Sequence, residues 1–218
     1  MNSWIRDFLE NRQQQVVLEG ATSTSAPVQS GVHQWSVLGP LLFLLFINDL
    51  PEVISTGSKV RLFADDCVLY KRIRSTEDTN ALQDLNSLQN WERDWLMEFH
   101  LEKYQVLHIS NKRNPLKYNY NFHGHILEEV ETSKYLGINL NRTLSWNNHI
   151  NTVAKKASNT SAFLQRNLHQ LPRKSKAQCY QTLVRPLMEY ACNIWDPHTK
   201  ENINKLEAVQ RRISTICI

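Results

Sequence analysis

The stretch Lys59-Val60-Arg61-Leu62-Phe63-Ala64-Asp65-Asp66-Cys67-Val68-Leu69-Tyr70-Lys71-Arg72-Ile73 reads as two short strands around a tight turn. On the first strand Val60, Leu62 and Ala64 face one side and Arg61 and Phe63 the other, because successive side chains alternate. Cys67 to Tyr70 form the return strand, and Asp65 and Asp66 sit between the two. Adjacent carboxylates repel, each raising the other's pKa unless a cation intervenes. A hard divalent ion resolves the conflict: Mg²⁺ is held by one or two carboxylates plus substrate phosphates. A pair of such ions, about 3.5–4 Å apart, can activate an attacking oxygen and stabilise a leaving one. The competing interpretation is an ordinary Asp-rich β-turn, and a bare Asp-Asp pair favours it.

Upstream, Trp4 to Leu9 has helical spacing, Gln15 to Glu19 reads as a strand and Gly20 to Ser25 as a polar turn. After Pro40, Leu41 to Leu50 is a helix apolar on nearly every side, which predicts a buried one. The apolar run Val37 to Ile47 falls short of the roughly 20 residues needed to span a bilayer and does not resemble a signal peptide, so no membrane partner is expected. Downstream, Ser75 and Asp78 form a capping-box pattern, followed by a stripe of Leu82, Leu85, Leu88, Trp91 and Trp95. Tyr104 to Ile109 predicts a strand, Tyr118 to Phe122 and Ile126 to Val130 a hairpin around His123-Gly124, and Lys134 to Leu140 a further strand.

Beyond Trp146 the spacing predicts three helices, at about 147–167, 173–194 and 201–215. Their stripes are Ile150/Val153/Ala157/Leu164, Tyr180/Leu183/Leu187/Tyr190/Ile194 and Ile203/Leu206/Val209/Ile213, and Pro186 should kink the second. Charge changes at the same place. Of the 218 residues, Met1 to Asn141 carry 13 Lys+Arg against 17 Asp+Glu, a net of −4, and Arg142 to Ile218 carry 12 against 4, a net of +8. The pattern is α+β: a mixed body over 1–141 and an all-α basic region over 142–218. A basic region on an acidic body suits a phosphate-bearing partner, with an ordinary solvated basic face as the equal alternative. Cys67, Cys179, Cys192 and Cys217 form no CxxC pair and have no zinc-ligand spacing, which fits a reducing, intracellular location, cytoplasmic or nuclear.

Several segments occur together in a telling order. Ser30-Gly31-Val32-His33-Gln34-Trp35-Ser36-Val37-Leu38-Gly39-Pro40-Leu41-Leu42-Phe43 and Ile47-Asn48-Asp49-Leu50-Pro51 precede Phe63-Ala64-Asp65-Asp66. Phe99-His100-Leu101-Glu102-Lys103, Lys134-Tyr135-Leu136-Gly137, Val184-Arg185-Pro186-Leu187-Met188-Glu189-Tyr190 and Trp195-Asp196-Pro197 follow. In this order they resemble the reverse transcriptase domain of non-LTR (LINE-type, jockey-like) retrotransposons, over essentially the whole chain. The resemblance implies an RNA-directed DNA polymerase, a nucleotidyltransferase. Its partial palm would have an antiparallel, ferredoxin-like or RRM-like sheet with helices, and a helical thumb would follow. It implies Asp65 and Asp66 as catalytic metal ligands for Mg²⁺ or Mn²⁺, and Lys103 as proton donor to pyrophosphate. Gln34, Trp35, Phe63 and Ala64 would lie at the nucleotide and template, and Tyr135, Leu136 and Gly137 would grip the primer. Lys155, Lys156, Arg173 and Lys174 would follow the backbone of an RNA template or RNA–DNA hybrid. By composition alone Lys103 could equally be a surface lysine, and Gln34 a polar turn residue.

Two departures shape the expectation. The chain starts after the position of the family's first catalytic strand, so that strand's aspartate and the fingers are expected to be absent, with activity impaired and an exposed sheet edge prone to self-association. The family's Pro-Gln-Gly turn reads His33-Gln34-Trp35, which puts a large ring where glycine admits close approach. Blockage of the nucleotide pocket is expected, stacking of Trp35 on a base being the minor alternative. The remaining alternative is a non-catalytic nucleic-acid-binding remnant that uses the basic C-terminal helices.

Overall fold

The alternation along Lys59–Phe63 becomes an alternation of burial. In this computed structural model, which describes residues 2–75, 78 and 81–217, strand Ser58–Phe63 pairs antiparallel with strand Asp66–Lys71. Ser58 and Val60 are buried, while Lys59, Arg61 and Phe63 are exposed. One detail differs from the expectation. Phe63 pairs with Asp66, so Asp66 opens the return strand and only Ala64 and Asp65 form the centre of the turn.

The class is α+β, with helices and small antiparallel ribbons, and the chain divides into two compact units. The first holds the chain through Val106 together with Leu116–Glu128; the second holds Leu107–Pro115 and the chain from Glu129 on. Among the described residues the strands pair two by two rather than joining into one broad sheet. No described helix is long and apolar enough to cross a membrane.

In the first unit, helix Asn2–Leu9 precedes a narrow ribbon built from Gln13–Gln14 with Ala26–Pro27 and Val17–Leu18 with Ala21–Thr22. Its turn, Glu19-Gly20, has positive φ at both positions, as a type I′ hairpin turn requires. Helix Gly39–Ile47 starts with Pro40 in its first turn, where a missing N–H costs nothing. The expectation of a buried helix does not hold: only Gly39 and Ile47 are buried, and Leu41, Leu44 and Leu45 are each more than half exposed. The unit supplies apolar partners to one side only, where Phe43, Phe46 and Ile47 join Leu50, Val60, Leu88, Trp91 and Phe122. Helix Ala81–Trp95 delivers Leu88 and Trp91 to that core, while Trp95 packs against Phe46 and Trp91 at its margin and the Leu82 side chain lies outside the described residues. Ahead of this helix the Asp78 carboxylate accepts the Ser75 backbone N–H at 3.0 Å, one arm of the expected capping box.

The root of the Asp65 hairpin is tied to the same helix. Buried Asp84 accepts the Ser55 backbone N–H at 2.8 Å on one carboxylate oxygen and the Ser58 hydroxyl on the other. The hairpin around His123-Gly124 forms as expected but is short, Asn121–Phe122 with His125–Ile126. The strand expected over Tyr104–Ile109 contracts to Gln105–Val106.

In the second unit, the strand expected over Lys134–Leu140 is instead a hairpin, Thr132–Tyr135 paired with Ile138–Asn141. Leu136 and Gly137 form its turn with φ of 45° and 83°, a reversal that glycine makes accessible. Helix Asn147–Asn167 matches the expectation, burying Ile150, Val153 and Ala157. The second expected helix is broken into Arg173–Cys179, a π-helical turn Tyr180–Val184 and helix Arg185–Glu189, then Ala191 with φ 53° and a short helix Cys192–Trp195. Pro186 has no N–H to give and its ring crowds the preceding turn, which widens to accommodate it. The widening also rotates the buried face. Val184, Met188 and Trp195 enter the core, whereas Leu183, Tyr190 and Ile194 of the expected stripe are at least half exposed. Helix Lys200–Cys217 closes the unit and buries Val209; the Ile213 side chain lies outside the described residues.

Candidate active site

Asp65 and Asp66 are both exposed at the tip of a six-residue-per-strand hairpin. Ala64 precedes them with φ 50°, in the region that disfavours a Cβ, so the turn is tight and held at some cost. Behind the tip the environment dries out. Burial pushes the Cys67 thiol up to about 11. Burial likewise raises the Tyr104 phenol, with further contributions from Cys67 and Glu92. The hairpin therefore offers two hydrated carboxylates on an apolar stem.

Among the described residues no group of three or more His, Cys, Asp or Glu side chains could hold a metal ion. The donor chemistry at the tip is nevertheless that of a hard cation shared with phosphate oxygens, since Mg²⁺ takes one or two carboxylates and completes its shell from substrate and water.

Gln34 and Trp35 occupy a turn that closes on itself. The Ser36 hydroxyl donates to the His33 carbonyl and accepts the Gly39 N–H, each at 2.9 Å. A Cβ on Gly39 would lie 2.6 Å from the His33 carbonyl oxygen, so glycine is required there. The His33 ring packs against Phe8, centroids 5.1 Å apart, and the Arg12 guanidinium donates to the Gly31 carbonyl at 2.8 Å. Trp35 itself has φ 61° and its side chain is fully exposed. The position is one that glycine would adopt without strain, and the indole extends from it into solvent.

Lys103 ends the short turn Leu101–Lys103, exposed, with its backbone N–H bonded to the His100 carbonyl at 3.0 Å. Gln34, Trp35, Phe63, Ala64, Asp65, Asp66 and Lys103 all belong to the first unit. Tyr135, Leu136, Gly137, Lys155, Lys156, Arg173 and Lys174 belong to the second. The structure brings Phe63 opposite Asp66 and sets Leu136 and Gly137 at one turn. Lys155 and Lys156 are exposed on helix Asn147–Asn167, and Arg173 and Lys174 are exposed at the start of the next helix.

Three residues that sequence reasoning did not single out as partners support these elements. Asp84 holds the hairpin root. Trp91 donates its indole N–H to Asp49 at 2.9 Å. The Tyr190 hydroxyl donates to the Leu136 carbonyl at 2.9 Å across 54 positions of sequence. No local periodicity signals such pairs, although Asp49 and Tyr190 both lie in segments that stand out in the sequence.

Residues 1–140 match the family described as "Reverse transcriptase (RNA-dependent DNA polymerase)". The chain is 28% identical over 227 residues to the RNA-directed DNA polymerase from mobile element jockey of Drosophila melanogaster, covering 96% of this chain and 24% of that protein. It is 28% identical over 225 residues to the probable RNA-directed DNA polymerase from transposon X-element, covering 97% and 24%, and 27% identical over 224 residues to that from transposon BS, covering 95% and 24%, both of Drosophila melanogaster. The chain thus spans about a quarter of the length of the curated relatives it matches. No solved structure matches it.

Proposed function

The chain belongs to the reverse transcriptase (RNA-dependent DNA polymerase) family, and from that membership we propose that it is palm and thumb sequence of a mobile-element RNA-directed DNA polymerase whose nucleotide pocket is obstructed by Trp35. The observation that carries the proposal is the family match, which encloses an Asp-Asp pair at the exposed tip of an antiparallel hairpin. In this reading 1–141 is the palm and 142–218 the thumb.

Asp65 and Asp66 would hold a divalent ion jointly with the triphosphate of an incoming nucleotide. An ion such as Mg²⁺ or Mn²⁺ held there would supply charge neutralisation and lower the pKa of the primer 3′-hydroxyl. Lys103 donates a proton to the departing pyrophosphate. Gln34, Phe63 and Ala64 line the nucleotide and template side. The turn Tyr135-Leu136-Gly137 meets the primer strand, and Lys155, Lys156, Arg173 and Lys174 follow the phosphate backbone, a salt-dependent contact. Both outer edges of the Asp65 ribbon lack a third strand among the described residues, which favours self-association.

The test is primer extension on an RNA template with Mg²⁺ or Mn²⁺. Trp35→Gly should raise extension, and Asp65→Ala in the same background should abolish it. Equal extension with and without the Asp65 carboxylate would sink the proposal. A second reading, a non-catalytic nucleic-acid-binding module, is favoured by the net +8 of residues 142–218. It predicts hybrid binding with no extension by any variant.

A further inference from the structure

We propose that the adjoining starts of helices Asn147–Asn167 and Lys200–Cys217 form a site for a phosphate group, held by backbone N–H groups of both helices and by the side-chain amide of Asn202. The inference is independent of the polymerase reading, which gives Asn147, Asn148 and Asn202 no role.

The two helices run 21 and 18 residues and pack against each other. The Asn202 amide, in the first turn of one helix, donates at 2.7 Å to Asn147 Oδ1, at the first position of the other. The helices therefore begin side by side. Each start carries the equivalent of about half a positive charge, on N–H groups that have no carbonyl of their own helix to meet. Two such ends at one place repel unless a negative group lies with them.

The sequence provides none. Helix Asn147–Asn167 follows Trp146, with no side-chain cap and no acidic residue in its first turn. Helix Lys200–Cys217 has Glu201 there, but its carboxylate pairs with Lys205 at 2.8 Å, one turn further along. Thr199 Oγ1 accepts the Asn202 N–H at 3.3 Å and Ser145 Oγ the Asn147 N–H at 3.5 Å. Among the described residues, the N–H groups of Asn148, His149, Lys200 and Glu201 meet no acceptor.

A buried polar atom without a partner lies at the same place. Asn202 is 2% exposed, and its Oδ1 meets no donor. Buried amide groups are as a rule bonded at both ends. Those ends have the same shape, and their hydrogen bonds decide which is which. Turning over both side chains keeps the Asn147–Asn202 bond, now donated by Asn147 Nδ2 to Asn202 Oδ1. The atom left over is then Asn202 Nδ2, an N–H donor. An oxyanion seated at the helix starts accepts from that donor and from the backbone N–H groups, which leaves no end of the buried amide unpaired. Phosphate suits the place because its oxygens accept in several directions at once. Lys200, exposed at the first position of its helix, adds an ammonium at the same end. Free phosphate and a nucleic-acid phosphodiester present the same oxygens to these donors.

The experiment is thermal unfolding of the 218-residue chain in chloride and in millimolar inorganic phosphate, at matched pH and ionic strength, beside the variant Asn148→Asp. Asn148 is exposed, and the substitution places a carboxylate in the first turn of its helix, where it stands in for the anion. Phosphate should raise the midpoint of the parent by about 3–6 °C at ten times its Kd. Asn148→Asp should melt higher than the parent in chloride and lose most of the response to phosphate. Should that variant fail to fold, the amide spectrum of the ¹⁵N-labelled parent decides. The backbone signals of Asn148 and His149 and the Asn202 side-chain NH₂ should shift together, with one Kd, as phosphate is added. Competition with a short RNA separates the two sources. RNA that displaces phosphate and binds Asn148→Asp more weakly than the parent identifies a phosphodiester, and RNA that binds both alike identifies the free ion. Equal midpoints in chloride and phosphate, an undiminished response in Asn148→Asp, or phosphate-induced shifts confined to other residues leave a buried water as the partner of Asn202 and overturn the inference.

Discussion

The Trp91 indole donates to the Asp49 carboxylate at 2.9 Å, joining the end of the apolar helix to the core face of helix Ala81–Trp95. Asp49 therefore serves as an acceptor that ties these two segments together. Asp49→Ala leaves the indole N–H of buried Trp91 without its partner and should cost about 1–2 kcal/mol. Urea unfolding gives the value; a change within error of zero would show that the bond contributes nothing.

Trp35 stands at φ 61°. Left-handed backbone costs a non-glycine residue about 1–2 kcal/mol, and glycine returns about 0.5–1 kcal/mol of that through a looser unfolded chain. Trp35→Gly should thus stabilise the fold by up to about 1 kcal/mol and strengthen nucleotide binding. Trp35→Ala should open the pocket equally but leave the strain. Thermal melting and nucleotide titration on both variants separate the two effects, and identical behaviour of Gly and Ala in the melts would remove the strain argument.

His149 is buried against Trp195 with Nδ1 accepting a backbone N–H. Burial first, and the nearby Lys156 charge second, hold its pKa below the usual 6.5. The sign follows from linkage. The unfolded state takes up a proton at higher pH than the folded state, so the stabilisation is complete above 6.5 and is lost as pH falls through the lower, folded value. Urea midpoints at pH 7.5 and pH 5 should show a larger drop for the parent than for His149→Gln. Equal drops would assign the pH dependence to other groups.

Lys155, Lys156, Arg173 and Lys174 are exposed in a region of net charge +8. Reversing all four should weaken hybrid binding by at least tenfold in low salt and flatten its salt dependence by roughly one unit of slope for each lost phosphate contact. Anisotropy titrations across a salt series read both quantities. A parallel, unshifted salt line would place the contacts elsewhere.

The hairpin, the Pro40 helix start and the first long helix were legible because each is written in local periodicity or in a single backbone-restricting residue. The sequence also marks Asp65, Asp66, Gln34 and Lys103 as candidates through their order along the chain. What escaped it was relational. Leu41, Leu44 and Leu45 look like core until the unit is seen to offer partners to one side only. The rotated face around Val184 depends on how Pro186 is accommodated, with kink or widened turn being equally open to a bare proline. The bonds from Tyr190 to Leu136 and from Trp91 to Asp49 join residues 54 and 42 positions apart, and nothing in either local pattern encodes its partner.

The widened turn at Tyr180–Val184 holds one residue more than an α-turn of the same height. Removing one residue there would restore ordinary helical winding and leave the segments on either side in their present phase. Everything that follows, including the approach of Tyr190 to the Leu136 carbonyl, could stay in place. Among related chains this is where a single-position gap in alignment is expected, and a length difference there would carry no change in what the downstream residues do.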